Sequence, residues 1–143
     1  MNTPTYKEQF DKLTRAYINN EVDPYRACAC FVGNLLNRKG AWINCRSGFS
    51  THLEGEWGIV HDADAIKCIN EESNGLYTPK EIVDLEYLFL KSFGDSHCND
   101  KSPEDSLFIA FEATLDLLKK IHISKGEVID ETPIFTKRTL ANV

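Results

Sequence analysis

The residue types best suited to chemistry in this sequence lie on one face of the segment Asp23–Asn37, DPYRACACFVGNLLN. At 100° per residue, Arg26 lies one helical turn before Cys30, and both this cation and a nearby helix N-terminus would favour the thiolate form of the cysteine. Thiol catalysis also needs a histidine and an orienting amide or carboxylate. Asn34 shares the face, but the sequence places none of the four histidines beside it. The competing interpretation is that Cys30 is a small residue buried at a helix crossing.

The same segment predicts a helix with two distinct faces at the centre of the fold. Asp23 is suited to cap a helix, and Pro24 is suited to its first position, where a missing N–H costs nothing. One face is apolar and holds Cys28, Phe31, Val32, Leu35 and Leu36. The other face has short polar side chains and holds Arg26, Cys30, Gly33, Asn34 and Asn37. The polar face could be approached closely by another backbone, or it could form the wall of a pocket. Cys30 would then lie in the middle of the helix, where the gain in thiolate is small.

Two ionisable residues, Glu86 and His122, fall inside the apolar faces of the two last predicted helices. A buried carboxylate needs a cation or hydrogen-bond donors, and a buried imidazole is either neutral and hydrogen-bonded or a ligand. In an antiparallel hairpin the two residues lie too far apart to meet, so each needs its own partner. Arg26, Asn34 or Asn37 could serve Glu86. The alternative to a functional role is that each is a satisfied polar group of the core.

An irregular stretch, residues 40–60, contains both tryptophans, Trp42 and Trp57, and four glycines. Long connections without regular structure are often functional, but this one could equally be a loop pinned to the core by its aromatic residues. Short strands are predicted at 42–45 and 57–60. The segment also contains carboxylates and histidines that suit a hard or borderline cation, namely His52, Glu54, Glu56, His61, Asp62 and Asp64. Their spacing matches no metal-binding motif, so we expect no metal and no cofactor.

Composition points to one acidic domain inside the cell. The 143 residues carry a formal net charge of −6, which is opposite to that of a typical nucleic-acid-binding surface. The sequence has no apolar run long enough to cross a membrane and no apolar signal core near its start. The five cysteines are an odd number without the spacing of a disulfide framework, which favours free thiols in the cytoplasm.

Four pairs of a capping residue followed by proline predict four helix starts, at Thr3-Pro4, Asp23-Pro24, Thr78-Pro79 and Ser102-Pro103. Together with a short helix over 62–73, they predict an all-α, five-helix bundle-like domain. A long irregular insertion separates helices two and three, and an extended arm follows helix five. The other predicted bounds are 4–19 for helix one, Pro79 to about Phe93 for helix four, and Pro103 to about Lys125 for helix five, with Gly94 and Gly126 as stops.

Residues 1–126 are therefore predicted to form a single helical domain, and 127–143 an arm that either binds a partner or is partly disordered. Because no catalytic motif has its required spacing, we expect a binding or regulatory protein without catalytic activity that acts through a protein partner or as a homo-oligomer. The alternative is a ligand-binding or hydrolytic enzyme with a pocket between the tryptophan segment and the polar face of helix two. Its candidate residues are Arg26, Cys30, Asn34, Trp42, Trp57, Glu86 and His122.

Overall fold

Five α-helices form the described part of the chain, and the predicted all-α fold class is confirmed. The computed structural model describes residues 3–26, 29–37 and 63–129, and no strand occurs among them. The helices are α1 (Tyr6–Ile18), α2 (Phe31–Leu35), α3 (Ala63–Ser73), α4 (Pro79–Cys98) and α5 (Pro103–Ser124). The predicted insertion, with its two short strands, and most of the predicted arm lie outside the described residues.

Two of the four predicted helix starts are confirmed, at α4 and α5. Thr78 and Glu81 form a reciprocal capping box, in which the Glu81 amide donates to Thr78 Oγ1 at 3.1 Å and the Thr78 amide donates to Glu81 Oε1 at 2.9 Å. Ser102 Oγ accepts the Asp105 amide at 3.1 Å at the start of α5. In both helices proline follows the cap directly, where its fixed φ suits the first helical position.

The other two predicted starts are wrong, because the nearby polar side chains serve the backbone differently. The cap of α1 is Thr5 rather than Thr3, and Glu8 completes a capping box with it. Asp23 caps a turn: its Oδ1 accepts the Tyr25 amide at 2.9 Å, which is a turn that short polar side chains make readily outside helices. The helix predicted from Pro24 therefore begins only at Phe31.

The last two long helices form an antiparallel hairpin, as predicted. Lys125 Nζ lies 2.9 Å from Glu81 Oε1, which places the end of α5 beside the start of α4. Helix α2 inserts against this hairpin, since the Phe31 ring lies 6.0 Å from that of Phe89 and 5.5 Å from that of Phe111. Residues 31–36 are all buried, so α2 is enclosed on every side and has no exposed polar face.

Helix α4 runs through Gly94 to Cys98, so the predicted stop at Gly94 is wrong. A glycine inside a helix costs only about 1 kcal/mol relative to alanine, which packing along α5 readily offsets. The helix ends instead before Asn99, and Asp100 then adopts a φ of 64°. The predicted stop after α5 is confirmed, since Gly126 has a φ of 96°.

We expect Gly94→Ala to stabilise the protein by about 0.5–1 kcal/mol, because alanine loses less backbone entropy in a helix. An added Cβ at this position meets no atom within 4 Å. The urea midpoint at unchanged slope measures the effect. Gly126→Ala is the matched control and should destabilise, since its positive φ disfavours a side chain. A fall in midpoint for Gly94→Ala would contradict this interpretation.

Candidate functional site

Cys30 and Glu86 form a buried contact between α2 and α4. The Cys30 thiol donates to Glu86 Oε2 at 3.2 Å, and its sulfur accepts the Gly33 amide at 3.3 Å. Cys30 is thus the N-cap of α2 and not a mid-helix residue, which corrects the sequence-based prediction. Both side chains have an exposed fraction of 0%, which favours a structural tie between helices over a site open to substrate.

Asn34 organises the backbone that leads into α2. Its Nδ2 donates to the carbonyl oxygens of Ala29 at 2.9 Å, Cys30 at 3.0 Å and Glu21 at 3.1 Å. The close approach of other backbone to this face of α2 was one of the two predicted outcomes. Arg26 does not join this group: its side chain is exposed on the turn that precedes α2.

A polar groove of about 580 Å³ lies along α1 and the end of α2, and we call it the α1–α2 groove. Its polar lining consists of the carboxylates Glu8, Asp11 and Glu21, the cations Lys12 and Arg15, and the carboxamides Asn19, Asn34 and Asn37. The groove is open to solvent along one side. Of the predicted site residues that the structure describes, only Asn34 lines it. No sequence pattern had indicated that α1 would contribute to the site.

Lys12 is the most buried cation of the α1–α2 groove. Its ammonium donates to the Leu35 carbonyl oxygen at 2.8 Å and to Asn37 Oδ1 at 3.0 Å, and so ties α1 to the end of α2. Burial lowers the pKa of Lys12, and the charge of Glu72 only partly opposes this shift. Both direct acceptors of this ammonium are neutral, so Lys12 forms no ion pair with a described residue.

His122 lies at the centre of a buried network beside the start of α1. Its Nε2 is 2.7 Å from the Tyr77 hydroxyl, and its Nδ1 is 3.1 Å from Glu127 Oε1. Since a carboxylate can only accept, we assign the Nδ1–H tautomer, in which Nε2 accepts the Tyr77 hydroxyl. Glu127 Oε2 also accepts the Tyr6 amide at 2.9 Å, at the positive end of α1.

The network places a hydroxyl, an imidazole and a carboxylate in the order seen in hydrolytic triads, but its burial favours a structural role. Tyr77 and His122 each have an exposed fraction of 1%, so substrate has no access to either. Tyr77 lies between α3 and α4, where no periodicity marks it as buried, and Glu127 lies within the predicted arm. No local sequence pattern indicates that Glu127 caps α1, because Glu127 and Tyr6 are far apart in the chain.

We expect the protein to lose stability between about pH 10 and pH 12. Burial, and secondarily the charge of Asp116, raises the pKa of Tyr6 from 10.0 to about 12, and burial also raises the pKa of Tyr77. The folded state therefore holds protons that the unfolded state releases, so this contribution is full below pH 10 and is lost as pH rises through 12.

Urea midpoints measured across this alkaline range test the expectation. Tyr6→Phe should make the decline shallower, because the variant has one fewer buried phenol to ionise. Tyr87→Phe, at an exposed tyrosine of α4, should decline as the parent protein does. Identical slopes for all three proteins would exclude Tyr6 as a source of the effect.

An aromatic corner is formed at the surface by Tyr25, Phe93 and His97. The Tyr25 ring meets that of Phe93 at an angle of 88°, with centroids 5.6 Å apart, and His97 stacks on Phe93 at 6.0 Å. Tyr25 nevertheless has an exposed fraction of 74%. Its exposed neighbour Arg26 forms no ion pair with any residue that the structure describes. The corner thus presents a large aromatic ring and a cation together.

The remaining predicted site residues, Trp42 and Trp57, lie outside the described residues. The side chains of the considered metal ligands at 52–64 do as well. Cys30, Cys68 and Cys98 form no disulfide, which agrees with the prediction for these three of the five cysteines. Among the helices that the structure describes, none is both long and apolar enough to cross a bilayer.

No protein-family model, no curated protein and no solved structure matches this chain.

Proposed function

We propose that this chain is a small intracellular binding and regulatory protein without catalytic activity, which acts through a protein partner at the aromatic corner. The observation that carries the proposal is the exposure of Tyr25, 74% of whose surface is open although its ring is seated against Phe93. Tyrosine and arginine are enriched among the residues that dominate binding energy at protein interfaces. A ring already held by an intramolecular contact loses little side-chain entropy when a partner covers it.

The chemistry of the corner indicates what the partner segment carries. Tyr25 offers an apolar surface, and Arg26 offers a guanidinium that no described carboxylate neutralises. A matching segment therefore presents an apolar side chain beside a carboxylate, which can accept two parallel hydrogen bonds from Arg26. The groups with catalytic potential, Cys30, Glu86 and His122, are buried and engaged with other side chains, which supports binding rather than catalysis.

The alternative, a hydrolytic enzyme with a pocket between α2 and the tryptophan segment, has less support. Its proposed nucleophile Cys30 is buried against Glu86, whereas the Arg26 side chain is exposed. Only its ligand-binding element gains support from the structure, through the contribution of Asn34 to the α1–α2 groove.

Site-specific photo-crosslinking in the native host tests the proposal. A benzophenone amino acid at position 25 should give one discrete adduct, and the same probe at the exposed Tyr87 should not. The captured protein is then purified, and its affinity is measured. Tyr25→Ala and Arg26→Gln should each weaken binding about tenfold or more, as expected for residues that dominate an interface. Arg15→Gln, the same change elsewhere on the surface, should not.

Three outcomes would contradict the proposal. The first is the same adduct from positions 25 and 87, which would show that crosslinking arises from random encounters and not from binding at the aromatic corner. The second is an adduct of twice the protein's own mass, which would make the occupant a second copy of this chain. The third is an affinity that neither Tyr25→Ala nor Arg26→Gln changes.

A further inference from the structure

The α1–α2 groove has the size of a site for a small molecule. Its volume of about 580 Å³ falls within the range of roughly 300–1,000 Å³ that is common for ligand pockets. Charged and carboxamide side chains dominate its lining, so a ligand would be held by hydrogen bonds and charge rather than by apolar burial. It is separate from the aromatic corner, since none of the corner residues lines it.

Neither cation of the groove forms a direct ion pair with a described residue, although the charge of Glu72 acts on Lys12. Two of the three donors of the Lys12 ammonium are used, both by neutral oxygens, those of Leu35 and Asn37. Arg15 follows Lys12 by three residues and therefore lies beside it on the same helix face. Its exposed guanidinium forms no ion pair within the described part of the chain. The groove thus presents a third ammonium donor and a guanidinium side by side.

Two of the carboxylates that line the groove, Glu8 and Asp11, are engaged with other groups. Glu8 accepts the Thr5 amide at 3.1 Å in the cap of α1, and Asp11 pairs with Lys7 at 3.0 Å. The carboxylates of the lining limit how much negative charge a bound ligand can carry. With one more carboxylate than cation among its described lining residues, and with the charge of Glu72 acting on Lys12, the groove repels a dianion such as phosphate more strongly than a monoanion.

We propose that the α1–α2 groove binds a small organic monocarboxylate, whose carboxylate is held by Arg15 and Lys12. Guanidinium and ammonium donors form short, charge-assisted hydrogen bonds with a carboxylate. The carboxamide of Asn19, at the end of α1, offers both a donor and an acceptor to polar groups on the rest of the molecule.

Titration of the ¹⁵N-labelled protein with N-acetylglycine, followed by NMR, tests this inference. We expect saturable shifts at Arg15, Lys12 and Asn19, with a dissociation constant on the order of 10 mM for so small a probe. N-acetylglycinamide, which has the same skeleton with a neutral amide in place of the carboxylate, should give no saturable shift. Inorganic phosphate should bind more weakly than N-acetylglycine.

Two arginine variants locate the binding. Arg15→Gln should abolish saturation in the accessible range, because losing a charge-assisted contact weakens binding about tenfold or more. Arg26→Gln removes the same charge at the aromatic corner and should leave the titration unchanged. Equal weakening by both variants would overturn the proposal, as would equal binding of N-acetylglycinamide, tighter binding of phosphate, or no saturation with N-acetylglycine. None of these results bears on the crosslinking at Tyr25.

Discussion

Phe111→Ala is expected to lower the free energy of unfolding by about 3–5 kcal/mol, the usual cost of truncating a buried aromatic ring. Phe111 has an exposed fraction of 0%, and its ring lies 5.5 Å from Phe31 and 4.8 Å from Tyr17. It therefore joins α5 to both α1 and α2. Because small domains are stable by only about 5–15 kcal/mol in total, the variant should be close to unfolding at 25 °C.

Urea unfolding followed by circular dichroism measures this loss. Tyr87→Ala removes a similar ring that is 40% exposed on α4, and it should cost clearly less than Phe111→Ala. A Phe111→Ala loss no larger than that of this control would mean that α1 and α2 do not pack on the hairpin as described.

His122→Leu is expected to cost about 2–3 kcal/mol, because it leaves the buried Tyr77 hydroxyl and the Glu127 carboxylate without the imidazole. The informative measurement is a double-mutant cycle with Tyr77→Phe. In the His122→Leu background the tyrosine change removes a hydroxyl that has already lost the imidazole and keeps only its hydrogen bond with Gln9. Tyr77→Phe should therefore cost at least about 1 kcal/mol less there than in the parent protein.

A second double-mutant cycle tests whether the coupling is specific to the hydrogen bond between Tyr77 and His122. Tyr6 packs its ring against His122, at 5.8 Å between centroids, but its hydroxyl donates to the Leu115 carbonyl oxygen instead. Tyr6→Phe combined with His122→Leu should consequently be additive. Additivity of the Tyr77 pair would contradict the hydrogen bond to His122.

The sequence predicted the features of this fold that depend on a few adjacent residues. The capping box of Thr78 and Glu81 closes within four positions, so its signal survives in any tertiary context. Asp23 followed by Pro24 carries the same local signal, but it caps a turn, because the residues beyond it and not the cap decide whether a helix continues. Gly94 failed as a helix stop for the same reason: packing on α5 outweighs a small local preference.

The candidate sites were less predictable because they join distant segments. Glu86 and His122 were identified correctly as polar residues inside buried faces, but their partners were not. Cys30 meets Glu86 only because α2 begins seven residues later than predicted and packs against α4. Lys12 reaches across to α2, although Glu8 lies one helical turn before it on its own helix. Helical projection gives the direction of a side chain and not the identity of what lies opposite.

The contact between Glu127 and the Tyr6 amide brings the two ends of the described helical region together, because these residues are 121 positions apart in the sequence. Polypeptide that precedes residue 6 and polypeptide that follows residue 127 therefore leave from one point on the surface. Domains with adjacent entry and exit tolerate circular permutation and insertion into a host loop. A tensile load applied at these two points would act first on the Glu127 contact, and α4 and α5 would bear it only after that contact had parted.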